Sequence, residues 1–335
     1  MSAMKILWPL SLVALLSLVA LLGAQVPALN PLFAVAIPYA SAAVLVGGLV
    51  WRVVSWAKSP VPFRIPTTCG QQRSLPWIRS ARFDNPSTGA GAAVRVFLEV
   101  VAFRSLLRNT RAELEPGGRV VYGPDRLLWA GAMAFHVSLL AILLRHARFL
   151  FEPVPAFVNA IQSVDGFLRA GVPGLYASDV VFVAAAAYLL GRRLVDPRLR
   201  YLSLPADYLP LFLLLGIAGS GLLMRHVFRA DLVSLKSFVL SFVAFRPRVP
   251  AAVPPLVALH LFLVSSLAAI LPFAKLVHMA APFLSPTRNL PNDSRARRHV
   301  NPWNPTVKVH TYPEWEDDFR DKLTAAGLPL EKESP

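Results

Sequence analysis

Six apolar stretches near the length of a bilayer crossing punctuate the chain, at 6–22, 33–56, 127–150, 177–194, 208–223 and 253–278. A helix needs about 20 apolar residues to cross a hydrocarbon core roughly 30 Å thick. In that medium every backbone N–H and C=O must be satisfied internally, which leaves only helices and closed barrels. Unbroken apolar runs, rather than two-residue alternation, select the helix. A chain that is 55% hydrophobic, with a mean hydropathy of +0.51, has more apolar surface than one water-soluble core can hide. The fold class expected is therefore an all-α membrane protein with about six transmembrane helices. The first run also has the outline of a leader peptide, with Lys5 ahead of it and LLGAQVPA behind. It is long for a leader and lacks a small-x-small cleavage site, so it is read as a retained helix.

Charge then orients the spans. The net charge is +15, and eleven Lys and Arg fall between Lys58 and Arg126. GRRLVDPRLR carries four arginines, and the tail after Lys275 is basic again. The positive-inside rule puts these on the cytoplasmic side together with both termini, although the basic connection around 225–248 then falls outside. The basicity reads as topology plus lipid or partner contact, not nucleic-acid binding. The expected organisation is an N-terminal helix and outer loop (1–32), a second helix (33–57) and a cytoplasmic loop with an amphipathic helix (58–125). A helical core (126–284) and a cytoplasmic partner-binding tail (285–335) follow. Within the loop, 92–114 alternates apolar and basic residues at helical spacing, suited to anionic lipid or an acidic partner face. Within the tail, Thr311-Tyr-Pro-Glu314 reads as a capped helix start. Trp315, Phe319 and Leu323 form its stripe and Gly327 its stop, in a helix too short to stand alone.

The single cysteine, Cys69, excludes a CxxCH haem attachment and any cysteine-held cluster. With no histidine nearby in sequence, it reads as a packed or partner-facing thiol. Any redox cofactor must use other ligands. Histidine is the type available: His136, His146 and His260 lie inside apolar runs, and His278 ends the last. A lone core histidine is usually structural, but an imidazole in hydrocarbon is costly and marks function by default. On ideal helices His136 and His146 are about 15 Å apart along the axis, and His260 and His278 about 27 Å apart on one face. The third and sixth spans run antiparallel, so the topology pairs His136 with His278 near the cytoplasmic side and His146 with His260 near the outer side. Two imidazoles per level are too few for zinc and suit a bis-histidine haem b, its ring among Phe135, Leu139 and Leu263. Arg145 and Arg148 beside His146 are candidates for propionate contacts, or are interfacial arginines reaching for water.

AFHVSLLAILLRH, GRRLVDPRLRYLSLPADYLPLFLLL and ALHLFLVSSLAAILPFAKLVHMAAPFL resemble the core of the cytochrome b (gamma) subunits of respiratory nitrate reductases. That resemblance covers about residues 33–284. It implies two b haems bound by His136, His146, His260 and His278, passing electrons between a quinone or menaquinone site and a cytoplasmic iron–sulfur partner. IPTTCGQQRSLPW, FRSLLRNTRAEL and NPTVKVHTYPEWEDDFRDKLTAAGLPLEK are similar to the DsrM-type cytochromes b of the sulfur-metabolism DsrMKJOP complexes. This second resemblance implies a cytoplasmic subunit like heterodisulfide reductase (DsrK), a multihaem cytochrome c, an outer iron–sulfur protein and a second membrane subunit. The cytoplasmic membrane of a bacterium or archaeon is the location implied.

Quinol oxidation needs a proton acceptor near a haem. His226, at the outer end of the fifth span, is the unassigned histidine placed for it, unless it only meets a propionate or headgroup. The gamma subunits use a lysine in the loop after the two-histidine helix. That loop here offers Asp165 and Arg169 instead, and Arg169 is taken as the substitute. Two other readings stand beside the leading one. The chain is alternatively the cytochrome b of a nitrate-reductase-like or heterodisulfide-reductase-like complex. From another class, it is a transporter with a histidine relay for protons or metal, although its histidine-bearing spans hold almost no acidic or amide side chains to line a path.

Overall fold

The computed structural model describes residues 2–59, 70–108, 110–166, 174–250, 253–297 and 309–331. Among these, five helical stretches are long and apolar enough to cross a membrane: Met4–Gly23, Pro27–Lys58, Arg126–Phe149, Pro205–His226 and Pro255–Phe273. They contain α1 (Ser2–Gly23), α2 (Ile37–Lys58), α4 (Arg126–His146), α8 (Pro205–His226) and α10 (Pro255–Ile270). The expected fourth span, α6 (Ala177–Val195), is a 19-residue helix that carries Asp179, Arg192 and Arg193. It lies antiparallel along α4, with Phe182 against Phe135 and the ring of Tyr188 where a side chain on Gly131 would stand. Ion pairs tie its two ends: Asp179 to Arg145 at one, and Arg192 to Asp125 at 2.6 Å at the other. These charges sit at the helix ends, so the uncharged stretch 180–191 of α6 lies alongside α4.

Two apolar clusters meet on α8. Val13, Phe33, Leu213, Leu259 and Leu263 join α1, α8 and α10, while Phe135, Phe182, Ala186 and Leu214 join α4, α6 and α8. The neighbours Leu213 and Leu214 thus place α8 between the two halves. Pairing contacts fix the directions: Asp207 of α8 meets Lys275 at one end, and Ser220 meets His260 at the other. One end of the bundle, here the tail side, holds Lys5, the short helix α7 (Pro197–Leu202) and the segment before α4. The far side holds α5 (Ala156–Asp165) and α9 (Leu232–Val243).

α10 departs from the expected continuous span to residue 278. It ends at Ile270, and 3₁₀ turns follow at Leu271–Phe273 and Lys275–Met279. Pro272 has no N–H to continue the ladder, and Ala274 is extended between the turns. Gly48 of α2 lets the chains approach, since a side chain there would meet the Pro272 ring at 2.8 Å. Arg52 Nε donates to the Pro272 carbonyl at 3.2 Å, meeting an acceptor that the break leaves outside the helix.

On the tail side the amphipathic helix expected over 92–114 is corrected. α3 spans only Gly89–Ala102, because Phe103 turns left-handed at φ +47°. The chain then forms an antiparallel ribbon, β1 (Arg111–Leu114) with β2 (Val120–Gly123), in which Arg111 pairs with Gly123. Pro116, Gly117 (φ +95°) and Gly118 (φ +80°) make the turn, and Val120 and Val121 favour the strand. Short helical turns α11 (Ala281–Leu284) and α12 (Pro286–Asn289) pack on α3. Arg95 of α3 is buried there and donates to the carbonyls of Arg288 and Leu290. Arg104 hydrogen-bonds the Asp84 carboxylate at 2.8 Å, which raises the guanidinium pKa above its ordinary value. In the tail, α13 (Tyr312–Ala325) opens on the Thr311–Glu314 capping box and leaves Trp315 and Phe319 half-exposed.

Removing Asp179 leaves the buried Arg145 with one carboxylate fewer. Asp179→Ala is expected to destabilise the detergent-purified protein by about 1–3 kcal/mol. Glu113→Ala, at an exposed pair with Arg111, should leave the thermal midpoint unchanged. Equal midpoints for the two variants would show that the α4–α6 clamp contributes nothing.

Candidate functional site

The four histidines of the spans stand in two facing pairs. His136 of α4 and His278 of the second 3₁₀ turn have ring centroids 6.0 Å apart and planes at 88°. His146 of α4 and His260 of α10 are 6.5 Å apart with planes 8° from parallel. The helices bearing them pack elsewhere, α4 on α6 and α10 on α8, α2 and α1. The imidazoles therefore face each other across a seam and not across a helix–helix contact.

Each ring is oriented the same way by a different piece of backbone. His136 Nδ1 lies 2.8 Å from the Ala132 carbonyl and His146 Nδ1 2.8 Å from that of Ile142, each one turn back along α4. His278 Nδ1 meets the Lys275 carbonyl at 2.8 Å, within its own turn. His260 Nδ1 reaches across to α8, to the Ile217 carbonyl at 3.1 Å and Ser220 Oγ at 3.0 Å. A carbonyl only accepts, so Nδ1 carries the proton in each ring and Nε2 keeps its lone pair. This is the second-layer arrangement that fixes a metal-binding imidazole.

The donor set fits an axially ligated metal plane. Two imidazole nitrogens on opposite sides of a metal, each about 2 Å away, put the ring centroids roughly 6 Å apart, and the two pairs stand at 6.0 and 6.5 Å. Among the described residues no three His, Cys, Asp or Glu side chains converge as they do around a bare ion. His136 is further packed by the edges of Phe103 and Phe135, at 4.9 and 5.1 Å. Phe103 owes that position to the left-handed backbone that ends α3. The turn holding His278 is pinned by Lys275 Nζ to Asp207 at 2.7 Å, and Asp207 also accepts from the Leu204 N–H at the start of α8.

At the far side Arg145 is committed elsewhere than to a propionate. Only 8% exposed, it pairs with Asp179 and, at 3.0 Å, with Asp165, and stacks 3.8 Å over the Tyr176 ring. Asp165 also accepts from Ser178 N and Oγ, which ties α5 to the start of α6. Arg225 covers the other contact to Tyr176 at 4.2 Å and donates to the Gly174 carbonyl. Arg148 donates to the neutral Gln162 amide at 2.8 Å, which leaves its charge uncompensated among the described residues. His226 ends α8 with a buried Nε2 that has no hydrogen-bond partner among the described residues. Arg169 and Cys69 lie outside the described residues. The sequence reading missed the Arg145–Asp165–Asp179–Tyr176 cluster. An arginine followed by aspartates 20 and 34 positions on is a weak signal until α5 and α6 are placed.

The sequence pattern of the nitrate reductase gamma subunit family matches residues 121–290. Two archaeal proteins, each described as an Hdr-like menaquinol oxidoreductase cytochrome b-like subunit, are similar over most of their length. That of Archaeoglobus fulgidus is 44% identical over 281 residues, 82% of this chain and 84% of the relative. That of Archaeoglobus profundus is 43% identical over 300 residues, 88% and 87% respectively.

Replacing Asp207 by Asn keeps its shape but removes the charge holding Lys275 and the turn of His278. The expected result is faster hydrogen exchange of the backbone amides at 275–279, with the His146–His260 end unchanged. Unchanged exchange would mean that the turn holds His278 without this ion pair.

Proposed function

The chain belongs to the nitrate reductase gamma-subunit family of membrane cytochromes b, and on that premise we propose that it carries electrons from menaquinol to an iron–sulfur subunit through two b haems. The observation that supports this reading is the pair of facing imidazole sets, each ring with Nδ1 spent on a carbonyl and Nε2 open. His136 and His278 hold one haem and His146 and His260 the other. The haems supply reversible one-electron chemistry. The protein supplies the ligand tautomer and the spacing.

The tail side is taken as cytoplasmic, since 58–126 and 192–200 carry fifteen Lys and Arg. Both termini are then cytoplasmic, in the inner membrane of a bacterium or archaeon. The relatives' description as Hdr-like supports a partner resembling heterodisulfide reductase, the DsrK type, on that side. α13 with its half-exposed Trp315 and Phe319, and the α3 face beneath Phe103, are the surfaces offered to it. The similarity of 65–77, 103–114 and the tail to DsrM-type chains extends the proposal to a sulfur-metabolism complex. A multihaem cytochrome c, an outer iron–sulfur protein and a second membrane subunit complete it. Menaquinol reacts at the far side, where the buried Nε2 of His226, without a partner among the described residues, is available to a quinol hydroxyl. Arg169 is retained as a candidate contact there. Arg148, with its charge unmet by any described carboxylate, takes over the propionate role first given to Arg145 as well.

Haem stoichiometry tests the reading directly. The purified chain should hold two b haems, and His136→Ala, His146→Ala, His260→Ala or His278→Ala should each hold one. The double variant of His136 and His146 should hold none. A haem-free wild-type chain, or loss of both haems from every single variant, would contradict the assignment. His226→Ala should keep both haems yet slow their reduction by menaquinol about tenfold or more, as loss of a positioned acid–base group does; unchanged reduction removes His226 from the site.

A further inference from the structure

Helix α3 carries its charge on the wrong side for water. Its two charged residues, Arg95 and Glu99, both turn inward, the arginine to 3% exposure. Arg95 donates to the carbonyls of Arg288 and Leu290, and Glu99 accepts from Ser105 N and Oγ. Every exposed position of the helix is Gly, Ala, Val or Phe, with Phe97 61% and Val101 54% exposed among the described residues. Leaving such side chains in water forfeits about 1.5–3 kcal/mol each relative to burial. We propose that α3 is embedded in the tail-side leaflet of the membrane, with Val94, Phe97 and Val101 against lipid acyl chains.

Depth identifies lipid as the occupant. The Trp129 indole, in the first turn of α4, donates to the Ala102 carbonyl at the end of α3 at 2.8 Å. The next residue, Phe103, sets its ring 4.9 Å from that of His136, and His136 lies roughly 15 Å along α4 from Arg126. The end of α3 therefore stands beside the apolar part of a span, not above it in the aqueous phase. Neighbouring surfaces continue the apolar face. α11, packed on α3, exposes Phe283 and Leu284, and α4 exposes Leu127, Val137 and Leu140. The loop ahead of α3 exposes Trp77, Arg79, Arg82 and Phe83, a mixture of aromatic rings and arginines suited to the level where a bilayer meets water. At 14 residues α3 is too short to cross. It lies within one leaflet, as interfacial helices do, with protein instead of water against its polar side.

The contact has a definite chemical character. Arginines at helical spacing suit anionic headgroups, but the fold commits them elsewhere: Arg95 to carbonyls, and Arg104 and Arg108 to Asp84 at 2.8 and 2.9 Å. Attachment is hydrophobic and needs no anionic lipid. The flank beneath Phe103, which the iron–sulfur partner takes in the proposed complex, is roughly 150° around an ideal helix from the stripe. The two contacts are therefore compatible, and nothing in the placement requires haem or quinol.

Spin labels on the full-length chain in lipid nanodiscs test the placement. Labels at Val94→Cys, Phe97→Cys and Val101→Cys, in a Cys69→Ser background, are read by two collision rates. Oxygen concentrates in lipid, and a nickel chelate stays in water. Oxygen should dominate at all three, as at Leu140→Cys on the exposed face of α4, and the chelate should dominate at Glu113→Cys on the exposed ribbon. The same order should hold in phosphatidylcholine alone, with added phosphatidylglycerol, and at high salt. Chelate dominance at Val94→Cys and Phe97→Cys would overturn the proposal and leave the stripe as a water-facing surface for a partner subunit. Low collision rates with both reagents would also overturn it, marking a face covered by protein. Oxygen dominance that vanished without phosphatidylglycerol or at high salt would overturn the hydrophobic attachment. In the otherwise unaltered chain, p-benzoylphenylalanine at position 97 reads the same contact without touching Cys69. Lipid adducts on illumination support the placement, and protein adducts alone or no adducts overturn it.

Discussion

An imidazole whose Nδ1 donates to a carbonyl has a single nitrogen left to coordinate with, and that requirement organises the bundle. Four rings are set this way by four different carbonyls. Two lie one helical turn back along α4, one across a helix interface on α8, and one inside a 3₁₀ turn. The rings of each pair then stand with centroids 6.0 and 6.5 Å apart, on elements that pack against other helices. The rest of the fold supplies that separation. α8 sits between the two apolar clusters and reaches both pairs, through Ile217 and Ser220 at His260 and through Asp207 and Lys275 at His278. A helix that only filled space would need none of those polar groups.

The histidine positions were legible in the sequence because hydrocarbon makes polar side chains conspicuous. Against runs such as VSLLAILL, each imidazole signals a partner, and antiparallel topology limits which partners meet. The local route to His278 was not legible. Eighteen residues of ideal helix would carry it back to the face of His260, whereas the chain breaks at Pro272 and delivers His278 from a separate turn. Proline inside an apolar span marks a break only when something accepts the freed carbonyl, here Arg52 from α2. That contact spans 220 positions in sequence and has no local signature. The ribbon at 111–123 was hidden for another reason. Arginines at helical spacing continued past Phe103, and a side-chain pattern does not register a backbone that turns left-handed.

The far-side charges illustrate the same limit. Taken as a count, Arg145, Arg148, Arg225, Lys236 and their neighbours argue against placing that end outside. In the fold, Arg145 is matched by two carboxylates and stacked on Tyr176, Arg225 is stacked on the same ring, and Lys236 is paired with Glu152. Arg145 and Lys236, neutralised within the fold, add little to the field that orients a segment, while Arg148 and Arg225 keep their charge; the fifteen basic residues of 58–126 and 192–200 stand against six acids.

The same neutralisation bears on electron transfer. A fixed positive charge near a haem favours its reduced form, and burial strengthens the effect by removing water that would screen it. Arg145 adjoins His146 in sequence, so a bare guanidinium there would bias a haem held at the proposed far-side pair toward reduction. Asp165 and Asp179 cancel that charge while leaving the arginine to clamp α4, α5 and α6. Arg148, on a neutral amide, keeps its charge. One of two adjacent arginines thus acts as structure and the other as field, a division set by which of them α5 and α6 supply with acids.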